Sequence, residues 1–219
     1  MIRLENVKKV YKVNSVDEVA VADLTMDIKD GEFIGVIGPS GSGKSTLLNC
    51  IGMLDEFSCG RYFLNDEDVT HLSENIRSRI RKNTFSFIFQ NFELIKRYTV
   101  YENIEVPLLA KRIKERKKII DDKAEMLGIG NLLNKYPYQI SGGEQQRAAI
   151  VRALVMDNPF ILADEPTGAL DKANSSEFMK IMHTINDNGK TILMVTHNLE
   201  LAKECDKIIE LSYGEEVIK

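Results

Sequence analysis

The sequence predicts an α/β chain, a parallel sheet wrapped by helices with an antiparallel β edge near the N-terminus. Two observations carry this. The runs Phe33-Ile34-Gly35-Val36-Ile37, Phe160-Ile161-Leu162-Ala163 and Thr191-Ile192-Leu193-Met194-Val195 are short, almost wholly apolar and set among stretches of helical periodicity. Strands buried on both faces of a parallel sheet read this way. The first of them runs into Gly38-Pro39-Ser40-Gly41-Ser42-Gly43-Lys44-Ser45-Thr46, which fits the phosphate-loop pattern of a Gly, four residues, then Gly-Lys-Ser/Thr.

At the N-terminus, Ile2, Leu4 and Val7 begin an apolar alternation, and Ala22, Leu24, Met26 and Ile28 share one face of a second run over residues 19–28. Both read as antiparallel strands. Between them lie Tyr11 and a polar loop, Asn14-Ser15-Val16-Asp17-Glu18. Tyr11 reads either as a surface aromatic or as a stacking platform for a purine. Asp30-Gly31 turns the chain into the first apolar run. A triphosphate is a dense cluster of negative oxygens, and a glycine-rich loop can turn backbone N–H groups inward to cradle it. Lys44 adds a point charge for the β- and γ-phosphates, and the Ser45 hydroxyl is placed to ligate Mg²⁺. Thr46-Leu47-Leu48-Asn49-Cys50-Ile51 reads as a helix start, which places the phosphates at a helix N-terminus. Strand, loop and helix agree on a bound nucleoside triphosphate.

Further along, Gly60-Arg61-Tyr62-Phe63-Leu64 reads as a strand, residues 73–82 as a basic amphipathic helix, and Phe85-Ser86-Phe87-Ile88-Phe89 as a buried strand ending at Gln90. Residues 99–127 turn helical, with Ile119, Ile120, Met126 and Leu127 at apolar positions and the basic run 111–118 as a solvated face. Ile140-Ser141-Gly142-Gly143-Glu144-Gln145-Gln146-Arg147 opens another helix. Ser141 and Glu144 have capping-box spacing. That spacing does not account for Gly142 and Gly143, each costing about 1 kcal/mol against Ala in a helix. Glycines at a helix start make sense where an anion must approach the backbone. The second apolar strand ends in Asp164-Glu165, at the sheet edge where open α/β folds bind ligands. Asp164 suits the Mg²⁺ shell, directly or through water, and Glu165 suits a general base for an attacking water. The third ends in Thr196-His197, where a γ-phosphate sensor would sit; His71 and His183 read as surface or packing residues.

The 219 residues, 43% hydrophobic, suffice for one sizeable core and a small satellite subdomain. A net charge of −4 argues against a nucleic-acid partner. No apolar run is long enough to span a membrane, and Met1-Ile2-Arg3-Leu4-Glu5 lacks the apolar core of a signal peptide. Cys50, Cys59 and Cys205 lack metal spacing and read as reduced thiols in a cytosol.

From Tyr11 to about Gly214, these pieces together resemble the nucleotide-binding subunit of an ATP-binding-cassette (ABC) transporter. Tyr11 matches the family's adenine-stacking aromatic, residues 38–46 its Walker A loop, and Gln90 the Q-loop glutamine that contacts Mg²⁺ and the attacking water. Ser141-Gly142-Gly143 matches the signature motif, Asp164 and Glu165 Walker B and its catalytic acid, Ala169-Leu170-Asp171 the D-loop, and His197 the switch histidine. The resemblance implies a P-loop NTPase fold in which an ABC-type core sheet carries an antiparallel β subdomain and a helical signature subdomain. The single domain would place core and β subdomain in about residues 1–98 and 155–219, and the helical subdomain in about 99–154. It also implies an ATPase using ATP and Mg²⁺, a head-to-tail homodimer with ATP sandwiched between copies, and a separate integral membrane permease. The chain would then lie in the cytoplasm, peripheral on the inner face of the membrane.

Two residues depart from the pattern: Ile140 where the family usually has Leu, and Glu144 where it more often has Gln. Glu144, at the third helical position, is expected to fold back and cap Ser141. The loop after Tyr11, Ser45-Thr46-Leu47-Leu48-Asn49 with Ile51-Gly52, and Glu102-Asn103-Ile104-Glu105-Val106-Pro107-Leu108 look like the macrolide-exporter, lipoprotein-releasing and bacitracin-type branch. So do Glu144-Gln145-Gln146-Arg147 and Ala163-Asp164-Glu165-Pro166-Thr167-Gly168. That branch implies export of, or resistance to, antimicrobial peptides or related amphiphiles, or else lipoprotein release or cell-division-type mechanotransmission.

Overall fold

The computed structural model describes residues 1–14, 16–212 and 215–217, with Val13 and residues 215–217 described in backbone only. Ser15 of the expected polar loop and Gly214, where the family resemblance ends, lie outside the described residues. In chain order the elements are β1 (Ile2–Val13), β2 (Val16–Ile28), β3 (Phe33–Ile37), α1 (Lys44–Ile51), β4 (Cys59–Leu64), β5 (Glu67–Asp68), α2 (Glu74–Thr84) and β6 (Phe85–Phe89). Then follow α3 (Val100–Ala110), α4 (Arg116–Met126), α5 (Gly142–Leu154), β7 (Phe160–Asp164), α6 (Lys172–Asp187), β8 (Thr191–Val195), α7 (Leu199–Ala202), β9 (Lys207–Ser212) and β10 (Glu215–Val217).

These form the expected α/β architecture around two sheets. The six-stranded sheet has the order β10-β9-β3-β8-β7-β6. It is parallel except for the β10–β9 pair. Every residue of β3 and β8 is buried, which is why both run apolar without alternation. The antiparallel portion is not an edge of this sheet but a separate four-stranded sheet, order β2-β1-β4-β5. Its inward residues Ile2, Leu4, Val7, Leu24, Met26 and Ile28 share a core with Leu47, Leu48 and Ile51 of α1 and with Leu162, Leu193 and Ile209 of the parallel sheet. A second core lies under α5 and α6, where Phe178, Met179, Met182 and Ile185 make one stripe of α6 at helical spacing. A third cluster belongs to the helical portion alone, with Val100, Ile104 and Leu108 of α3 against Ile120 and Ala124 of α4 and Ala148 and Val151 of α5.

The sequence reading needs further corrections. Residues 16–18 belong to β2 rather than to a loop, since β1 and β2 pair out to Val13↔Val16 and bring Tyr11 opposite Glu18. The helical stretch 99–127 is two helices: Arg112, at φ 59°, breaks the run after α3, so residues 111–115 are a connection rather than a helix face. Within it Lys111 is not merely solvated, because its ammonium donates to Met156 O at 2.7 Å and Asn158 Oδ1 at 2.8 Å. Met126, read as apolar and inward, is 53% exposed, because α4 turns only Ile120 and Ala124 fully inward. The reading also passed over β9. Lys207 and Glu210 break its apolar run, yet it pairs with β3 at the centre of the parallel sheet.

Candidate active site

The phosphate loop, residues 38–43, leaves β3 and turns into α1 under tight steric control. Gly43 caps α1 with φ 89°, and a Cβ there would lie 1.8 Å from the Ala20 carbonyl oxygen of β2. A Cβ on Gly38, φ 155°, would lie 2.2 Å from the Leu211 carbonyl oxygen of β9. Both sheets therefore press on the loop, and only glycine fits at either position. Inside the curl, Lys44 is buried and its ammonium donates to Gly38 O at 2.9 Å and Pro39 O at 2.8 Å. The Ser42 hydroxyl is buried without a hydrogen-bond partner among the described residues, an unusual cost unless a guest supplies the partner.

Parallel register sets the acids beside this loop. Asp164 ends β7, flanked by Phe89 of β6 and Val195 of β8, and its Oδ1 accepts from the Ser45 hydroxyl at 2.9 Å. Burial pushes the Asp164 carboxyl above its ordinary range, the Ser45 hydrogen bond pulls it down, Glu165 raises it further and Lys44 opposes. Glu165 sits at φ 45°, a left-handed conformation uncommon outside glycine, held by its N–H donating to Val195 O at 2.9 Å. Its carboxylate meets His197 Nδ1. His197 is 66% exposed at its side chain and Glu165 20%, so the histidine roofs the acid. Gln90 follows β6 with its amide against Gly168, where a Cβ would lie 2.9 Å from Nε2.

A cavity of about 630 Å³ gathers most of these groups, with Asp164 set behind Ser45 and outside its lining. It is lined by residues 40–46 of the loop, by Tyr11, by residues 18–20 of β2, and by Gln90, Glu165 and His197. Its size suits a nucleotide. Residues 18–20 were missed from the sequence, because the register that folds β2 over the phosphate loop leaves no local mark. Two more missed residues stand behind Tyr11. The Tyr11 phenol donates to Asp55 Oδ2 at 2.8 Å, and Lys9 donates to Asp55 Oδ1 at 2.6 Å and to Glu56 O at 2.9 Å. Asp55 occupies a turn after α1 with no motif around it.

Ser141, Gly142 and Gly143 lie outside this cavity. Ser141 caps α5 as expected, and Glu144 folds back on it: the Ser141 N–H and hydroxyl donate to Glu144 Oε2 at 2.7 and 2.8 Å. Those bonds hold the Glu144 carboxyl below its ordinary value. A Cβ on Gly143 would lie 2.5 Å from Asn174 Oδ1 of α6, so packing within the chain explains that glycine. A Cβ on Gly142 would meet nothing within 4 Å. Ala169 is exposed, Leu170 packs toward α6, and Asp171 caps α6 by accepting from the Asn174 N–H at 2.8 Å. Among the described residues no group of three or more His, Cys, Asp or Glu side chains converges as a metal cage. Ser45 and Asp164 offer hard oxygens of the kind Mg²⁺ takes when phosphates complete its shell.

The ABC transporter family matches residues 21–168. An uncharacterised ABC transporter ATP-binding protein of Methanocaldococcus jannaschii is 43% identical, over 98% of this chain and 97% of its own length. The macrolide export ATP-binding/permease protein MacB of Bartonella quintana is 41% identical over 97% of this chain, which spans 32% of that longer protein. Among solved structures, the dimeric post-hydrolysis state of the M. jannaschii ATP-binding cassette MJ0796, bound to ADP and Pi, superposes with a TM-score of 0.92. It is 39% identical, with 100% of this chain and 97% of that one covered.

Proposed function

The chain belongs to the ABC transporter family as an ATP-hydrolysing subunit, and from that premise we propose that it is half of a head-to-tail, ATP-sandwich homodimer driving a separate membrane permease. One observation carries this reading. Tyr11, the phosphate loop, Gln90, Glu165 and His197 share one cavity, while the Ser141 helix start stands outside it with Gly142 open to approach. A second copy, turned head to tail, would bring its own Ser141–Gly142–Gly143 helix start over the phosphates. The dimeric MJ0796 cassette supports this arrangement.

Within the site, Lys44 and the N–H groups opening α1 bind the phosphates, and the Ser42 hydroxyl, unpartnered among the described residues, gains a partner there. Ser45, Asp164 and Gln90 would hold Mg²⁺, which neutralises charge on the phosphate oxygens. Glu165 accepts the proton of the attacking water, and His197 fixes its carboxylate in place and senses the γ-phosphate. With the phosphate cleaved, the charge linking the two copies is lost and the dimer loosens; the D-loop residues Ala169, Leu170 and Asp171 would meet the partner beside that link.

Among the described residues no helix is long and apolar enough to cross a membrane. A groove of about 280 Å³ lined by Phe85, Phe87, Phe89, Val106 and Pro107, with Tyr98 and Leu109 exposed on neighbouring segments, supports docking of a permease segment beside Gln90. The chain would then work at the inner face of the membrane. The similarity to a macrolide export protein supports an export role, read here as export of, or resistance to, antimicrobial peptides or related amphiphiles, with lipoprotein release or cell-division-type mechanotransmission as the second reading.

Glu165→Gln tests the chemistry. It should cut ATP turnover by roughly a hundredfold or more, as loss of a general base does, while ATP binding survives. A variant that turns over at the normal rate would remove Glu165 from that role.

A further inference from the structure

Tyr11 is held from three sides, and two of the holding groups, Lys9 and Asp55, lie outside the phosphate loop. Its phenol donates to Asp55 Oδ2 at 2.8 Å, and the Thr46 hydroxyl of α1 reaches the phenol oxygen. The Lys9 ammonium stands 4.7 Å from the ring centroid, over one face. Lys9 is itself 9% exposed and fixed by Asp55 Oδ1 at 2.6 Å and Glu56 O at 2.9 Å. An aromatic ring on a strand near a hairpin end would ordinarily sample several orientations, and a stack on a base loses free energy for each one it must give up. Here the ring is already fixed, and a cation covers one of its faces.

We propose that Lys9 and Asp55 are positioning residues for the nucleotide base, locking the Tyr11 ring so that its uncovered face alone receives a purine. This rests on the reading of Tyr11 as the stacking platform of the nucleotide cavity. Asp55 is the keystone, since one carboxylate orients both the phenol and the ammonium. It leads back from the end of α1, so the helix that binds the phosphates also sets the platform for the base. Phosphate binding and base binding thus share one rigid element.

The test separates base from phosphate. Binding of Mg·ATP and of inorganic tripolyphosphate to the full chain is measured by titration calorimetry for the wild type, Asp55→Asn, Lys9→Met and Tyr11→Ala. Asp55→Asn should weaken ATP binding roughly threefold to tenfold, the scale of a partly lost base stack, and leave tripolyphosphate within about twofold. Lys9→Met removes the buried charge together with its burial cost, so it guards against a fold too damaged to read; it should show the same selective loss. ATP affinity unchanged in both variants while Tyr11→Ala loses it would overturn the positioning role alone. Parallel loss of ATP and tripolyphosphate would also overturn it, showing a purely structural effect on the phosphate loop. A Tyr11→Ala variant equal to wild type on both ligands would remove the platform and the proposal with it.

Discussion

Asp164 holds a partly buried charge in the site. Burial raises its carboxyl, with Glu165 adding to the rise, while Ser45 and Lys44 pull the other way. A carboxyl whose folded value exceeds its unfolded one contributes stability that is complete below the unfolded value and is lost as pH rises through the raised folded value. At neutral pH the ionised carboxylate therefore carries a net penalty that Ser45 and Lys44 only partly offset. Asp164→Asn keeps an oxygen for the Ser45 hydroxyl and removes the charge. It should raise unfolding stability at pH 7 by up to about 1 kcal/mol, discounted for partial exposure, and erase most of the gain below about pH 4, while abolishing turnover. Denaturant titrations at both pH values check it, and lower stability at pH 7 would contradict the sign. Asp164, Glu165 and His197 were legible in the sequence because they lie within two residues of the ends of nearly all-apolar runs, and such strand ends are where a parallel sheet presents its chemistry. Lys9 and Asp55 were not, because their meaning lies in a contact spanning 46 positions that no local pattern encodes.

Between Gln90 and α3 the chain relies on long-range partners. Phe92 and Glu93 both adopt left-handed backbone, φ 61° and 48°, and Arg152 near the end of α5 donates to both carbonyls. Asn103 of α3 plugs the same segment, receiving the Ile95 N–H at 2.6 Å and donating to the carbonyls of Ile95, Tyr98 and Thr99. The helix that begins at Ser141 thus ends by holding the segment that follows Gln90. Arg152→Met leaves those two carbonyls unpaired and should cost about 1–3 kcal/mol, seen as a lower urea midpoint at unchanged slope. Amide exchange in residues 91–95 should accelerate selectively; uniform exchange would show that the link is not local. The helix α5 was legible from its cap and periodicity, whereas α6, which Asp171 caps, was passed over. The break between α3 and α4 was not, since no glycine or proline marks Arg112, where the chain turns left-handed.

At the scale of the whole molecule, the fold class was written in its apolar runs, whereas the separation of the two sheets was not. Alternation shows that β1 and β2 are half buried, but not that they cover α1 and clamp the phosphate loop through Ala20. The consequence is a molecule that builds one face of a nucleotide site to high definition and presents the signature helix start elsewhere. The most direct test of that claim is complementation between two inactive variants. Lys44→Ala disables the phosphate loop and Ser141→Arg disables the helix start, so each homodimer should lack ATPase activity. In the mixture, one composite site joins an intact loop to an intact signature from the other copy, and turnover should reappear above the sum of the parts. A mixture as inactive as its components, each still folded and able to associate, would contradict a site shared between two copies.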